Sequence, residues 1–143
     1  DHAGDLPAIL KSANFADPPA RITLFGPDGR GLFPGLRAHA EQLVGSRAGA
    51  YRYLADWLQG PAPRLAITEV SSADPDSPRE TLLLDRPDYR LSAIAVHHGV
   101  VPALAFVVRS RGATAVLAGD QSELSAGFDA ALAGSRPGLL IMH

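Results

Sequence analysis

Apolar residues recur along the chain with two different periods, and the alternation between them predicts a mixed α/β protein. Leu6, Ile9, Leu10 and Ala13 fall at helical spacing within residues 4–15, behind Asp5 as a plausible N-cap and with Pro7 in the first turn, where it is tolerated. Residues 21–25 read as a short strand closed by the turn Gly26-Pro27-Asp28-Gly29. Helical spacing returns over residues 32–44, through Leu36, Ala40, Leu43 and Val44, and over residues 50–58, through Tyr53, Leu54 and Trp57. Pro61-Ala62-Pro63 ends that region. Residues 65–70 and 81–84 are strand-like and are joined by a polar, proline-rich stretch, 71–79, read as a surface hairpin loop. The second half is β-rich, with apolar, β-branched runs at 89–96, 104–108 and 114–118. A helix over 124–132 and a short buried-strand pattern over 138–142 complete the expected order of elements.

Composition narrows this picture. A chain of 143 residues with 46% hydrophobic and 20% charged residues is globular in profile and can bury roughly 70% of its unfolded surface. With no internal repeat or linker, residues 1–143 are read as a single domain or part of one. No run approaches the roughly 18 apolar residues of a membrane span. The formal charge of -2 gives no global pull toward nucleic acid, which remains a partner that net charge does not support. Of the 13 basic residues only Lys11 is lysine, a bias expected of a GC-rich bacterial genome. No cysteine is present, which excludes disulfides, thiolate metal sites and a cysteine nucleophile; any metal must be held by His, Asp or Glu.

Three short segments place acids and histidines at strand ends or beside a helix start: Asp1-His2, His97-His98-Gly99 and Gly119-Asp120. Strand ends are rigid and face solvent, so ligands there can be fixed and still reach a substrate. Imidazole and carboxylate suit Zn²⁺, Mn²⁺ or Fe, and a carboxylate can bridge two ions. Because adjacent strand side chains point to opposite faces, His97 and His98 are not expected to bind one ion together. Taken singly, each segment also has a plain structural reading, as a frayed end, a hydrogen-bonded histidine or an ordinary turn.

As an ordered set the segments resemble the metallo-β-lactamase-fold hydrolases of the ribonuclease Z and phosphodiesterase type. Asp1-His2-Ala3-Gly4-Asp5-Leu6-Pro7 is similar to the end of the HxHxDH motif running into its helix. Val96-His97-His98-Gly99, continuing through Pro102-Ala103-Leu104-Ala105-Phe106, resembles the "HG…PAxxY" stretch. Val116-Leu117-Ala118-Gly119-Asp120 resembles "vfsGDT", and Gly138-Leu139-Leu140-Ile141-Met142-His143 resembles the following "DLLIHE" strand. The resemblance implies an α/β chain forming part of an αββα metallo-β-lactamase sandwich. It also implies hydrolysis of a phosphodiester or related ester, in a small-molecule or nucleotide substrate, at a centre of two divalent ions, zinc first with manganese or iron as alternatives.

Residue by residue, the resemblance makes Asp1 and His2 ligands of the second metal, with Asp1 also orienting or deprotonating the nucleophile. It makes His98 a ligand of the first metal, preferred over His97 because it directly precedes Gly99, and it makes Asp120 the bridging carboxylate. His143 occupies the position of the "LIHE" histidine, which is not generally the final ligand. The first two histidines of HxHxDH would precede residue 1, so the native N-terminus is expected to lie upstream. A core-like strand at the other end carries the same expectation there. Gln121 stands where the pattern has Thr.

Two other functional classes compete. One is a non-catalytic fragment or degenerate relative acting as a binding or scaffold domain, which metal content distinguishes. The other is a nucleotide-binding α/β domain, for which no G-x-G-x-x-G or P-loop is present. His39 is expected exposed or partly packed on its helix, Tyr53 and Trp57 in the core, and Asp74-Pro75-Asp76 in a solvated turn. Ser71-Ser72 has no nucleophile setting.

Overall fold

The computed structural model describes residues 3–16 and 20–142, in which the chain divides into two compact units. The first comprises residues 1–25 and 34–68, and the second residues 26–33 and 69–143.

In the first unit, helix α1 (Leu6–Ala13) turns Leu6 and Leu10 inward, one helical turn apart. Helix α2 (Leu36–Val44) contributes Ala40 and Val44 at the same spacing. Around these pack Leu54, Trp57 and Leu65, and burial of each large side chain stabilises by roughly 1.5–3 kcal/mol. The Arg64 guanidinium lies 3.9 Å from the centre of the Trp57 ring. Strand β1 (Ile22–Pro27) pairs with β2 (Leu65–Val70) in a two-stranded sheet.

Two helical expectations in this region are corrected. Residues 32–35 are not helical, because Pro34 biases Phe33 away from the α region; Phe33 instead exchanges backbone hydrogen bonds with Arg30. Residues 50–58 form a 3-10 turn (Arg52–Leu54) followed by a short helix α3 (Asp56–Gln59). Tightening of the backbone there sends Leu54 and Trp57, three residues apart, into the same core. Tyr53 is left 66% exposed, against the expectation that it joins the core.

The second unit is built on a five-stranded sheet in the order β3-β4-β5-β6-β7. Its strands are β3 (Glu80–Asp85), β4 (Arg90–Val96), β5 (Ala103–Ser110), β6 (Ala113–Leu117) and β7 (Leu139–Ile141). The first four run antiparallel and β7 returns parallel to β6. Opposite Ile94 and Ala105 on one face pack with Val107, Val116 and Phe128, the last carried by helix α4 (Ala126–Leu132). On the other face the Ala93↔Phe106 and Ala95↔Leu104 pairs pack with Val70 and Leu83. Coverage of both faces explains why β4 and β5 read as continuous apolar runs rather than alternating ones.

β7 departs from its buried pattern. Leu139, Leu140 and Ile141 are all exposed, because this strand is the outer edge of the sheet and has a neighbour on one side only among the described residues. No helix among the described residues is long and apolar enough to cross a membrane.

Candidate metal centre

Topology brings two of the sequence-predicted residues together. β4 and β6 flank β5 and are both antiparallel to it, so they run parallel to each other and end on the same side of the sheet, about 10 Å apart. His97 and His98 follow β4 directly; Ala118, Gly119 and Asp120 follow β6. Gly119 takes a left-handed φ of +64°, and a Cβ there would sit 3.0 Å from the Leu104 carbonyl oxygen. Only glycine makes this turn without strain, and the turn directs Asp120 back over the start of β5.

His98 Nε2 faces Asp120 Oδ2 at 3.7 Å, with both side chains mostly covered, 33% and 24% exposed. That distance is too long for a hydrogen bond. Two donors on one tetrahedral ion, each about 2.1 Å from it, lie about 3.4 Å apart, so the observed spacing suits a shared ion better than a direct bond. The second ring nitrogen of His98, Nδ1, is buried and makes no hydrogen bond among the described residues. Buried imidazole nitrogens rarely stay unsatisfied without a functional reason. By kind and by spacing, these two groups fit a divalent cation. Among the described residues no group of three or more His, Asp or Glu side chains is arranged to hold a metal ion, so His98 and Asp120 by themselves are not a complete donor set. Asp1, His2 and His143 lie outside the described residues.

His97 turns away from this pair, as strand alternation requires. Its Nε2 lies 3.0 Å from Asp76 Oδ1, and its Nδ1 lies 3.6 Å from Glu123 Oε1. Its backbone is held as firmly: the His97 amide donates to Ser125 Oγ at 2.8 Å, and its carbonyl accepts from the Ser122 amide at 3.1 Å. Asp76, Glu123 and Ser125 were not legible as site residues in the sequence. Asp76 lies in the loop read as a solvated turn, and no local motif marks a carboxylate that meets a histidine 21 residues away.

The larger of two described concavities, about 680 Å³, lies at the other end of the sheet, between the β3–β4 and β5–β6 turns. Two of its arginines pair with the carboxylates beside them, Arg90 with Asp85 and Arg111 with Asp88, each at 3.0 Å. Size therefore does not locate the chemistry here.

No family model matches the chain, and no curated protein matches it in sequence. Among solved structures it is similar to the short form of human tRNase Z, a metallo-β-lactamase-fold enzyme. The TM-score is 0.60 at 18% identity, over 94% of this chain and 50% of the human one. The fold is of the metallo-β-lactamase type. The chain spans about half the length of the human protein, and an identity this low speaks for the fold alone.

Proposed function

We propose that this chain carries part of the active centre of a metal-dependent hydrolase that cleaves a phosphodiester or related ester. The single observation that best supports this reading is the approach of His98 and Asp120 from the ends of two strands, 3.7 Å apart and mostly covered. The pair is too far apart to hydrogen-bond, and His98 Nδ1 is buried without a hydrogen-bond partner among the described residues.

In this reading His98 would supply a neutral imidazole ligand and Asp120 a carboxylate ligand. The resemblance would add Asp1 and His2, which lie outside the described residues, as further ligands. Divalent ions, when bound, supply Lewis acidity that acidifies a water nucleophile and neutralises charge on the substrate oxygens. Asp1 would serve to orient a water nucleophile and to accept a proton from it. Asp120 and His98, standing on rigid strand ends, hold their positions while charge develops on the substrate, so little reorganisation is needed. The metal is proposed to be zinc, and the substrate a small-molecule or nucleotide ester.

The test is turnover of bis-p-nitrophenyl phosphate by the full-length protein. Asp120→Ala is expected to lower kcat/KM by at least about 10³-fold, a loss of about 4 kcal/mol of transition-state stabilisation. Turnover unchanged by that substitution would remove Asp120 from the reaction. A full-length protein that binds no divalent ion would favour a scaffold role instead.

A further inference from the structure

We propose that Ser125 is a positioning residue that sets the spacing of His98 and Asp120, by tying the end of β4 to the loop after β6. The proposal rests on the reading of His98 and Asp120 as metal ligands. Ser125 is 1% exposed, and its hydroxyl makes two links. Oγ accepts from the His97 amide at 2.8 Å and faces Gln121 Oε1, to which it donates, at 3.3 Å. His97 precedes one ligand and Gln121 follows the other. Gln121 Nε2 in turn donates to the Ala118 carbonyl at 3.4 Å, two residues before Asp120. One buried hydroxyl thus joins the segments that carry the two donors.

The use of this hydroxyl is unusual for its place. Ser125 is the N-cap of α4, with φ −106° and ψ 103°, yet its side chain caps no amide of its own helix. A serine at an N-cap ordinarily accepts from the second or third helical amide and stabilises by about 1 kcal/mol. Here the Gly127 amide donates to the Pro75 carbonyl at 3.2 Å instead, and a Cβ on Gly127 would lie 2.6 Å from that oxygen. The loop bearing Asp76 caps the helix, and the serine is released to hold the strand end. The same loop reaches His97 through Asp76.

Groups outside the ligand set commonly change metal affinity 10- to 100-fold when lost. The experiment is calorimetric titration of the metal-free full-length protein with Zn²⁺, beside thermal unfolding. Ser125→Ala is expected to weaken binding by about 10-fold or more, and Ser125→Thr, which keeps the hydroxyl, to stay within about 3-fold. Val107→Ala, a loss of core packing in the same sheet, is expected to lower the melting temperature without changing affinity. Should Ser125→Ala fail to fold, Gln121→Met cuts the other link and is expected to weaken binding in the same direction. Unchanged affinity in Ser125→Ala or, failing that, in Gln121→Met overturns the proposal, as does an equal loss in Val107→Ala. If His98→Ala and Asp120→Ala both bind Zn²⁺ as tightly as the unaltered protein, the metal reading fails with it. A loss confined to those two variants overturns the role of Ser125 alone.

Discussion

The two ends of β4 carry polar groups in similar numbers and treat them differently. At its start, Glu80, Ser92 and Arg109 form a closed set: both Arg109 and the Ser92 hydroxyl donate to the Glu80 carboxylate, and the second Arg109 contact is 3.0 Å. Nearby Arg90 pairs with Asp85. At its other end, His98 and Asp120 face each other beyond hydrogen-bond reach, and a buried ring nitrogen is left over. The first end is organised as a structural ion network is, with donors matched to acceptors; the second leaves a buried ring nitrogen unmatched among the described residues, as the proposed site would. The larger concavity lies beside the first end, so satisfaction of polar atoms discriminates better here than volume does.

The largest stability effect of a polar substitution along β4 is expected at the matched end. Arg109→Leu keeps an apolar stem on the sheet and leaves Glu80, 26% exposed, with only the Ser92 hydroxyl. A loss of about 1–2 kcal/mol is expected, the Arg109 side chain being 36% exposed and its charge partly screened. The shift of the urea midpoint at constant slope measures it.

A smaller effect follows from pH. Burial opposes ionisation of Glu80, but the hydrogen bonds from Arg109 and Ser92 and the Arg109 charge outweigh it, holding the carboxyl below its ordinary value of 4.5. A depressed folded-state value means stability that is present above 4.5 and lost as pH falls through the lower folded value. Stability measured from pH 7 to pH 3 is therefore expected to fall less steeply in Glu80→Gln than in the unaltered chain, the offset between the two curves staying constant above about 4.5 and shrinking below it. Parallel curves across that window would mean that the network does not stabilise the ionised carboxyl.

The contrast also separates what the sequence discloses from what it withholds. β4, β5 and β6 were legible because burial on both faces leaves long apolar runs, and Gly119-Asp120 because a glycine forced to positive φ follows such a run. His98 was legible only beside its ordered companions. Glu80 and Arg109, 29 residues apart, were not, since their pairing depends on strand register. Ser125 and Asp76 were hidden for the same reason: each acts on His97 across 21 residues or more. The 3-10 turn at Arg52–Leu54 and the exposure of β7 were misread because helical periodicity does not report backbone tightening and an apolar strand does not announce that it is an edge.

The smallest expected effect on stability is the most diagnostic. At the matched end, removing a partner strands a charge, but at the open end His98→Leu removes a ring whose Nδ1 is already buried and unsatisfied among the described residues. Leucine fills a similar volume and carries no polar atom to desolvate. The substitution is therefore expected to leave the metal-free protein within about 0.5 kcal/mol of its original stability, or to stabilise it slightly, as happens where function and folding compete for a position. Zn²⁺ affinity, in the same samples, should fall sharply. A melting temperature that drops as far as in Arg109→Leu would show His98 to be a structural histidine, and the two ends of β4 would then differ in geometry only.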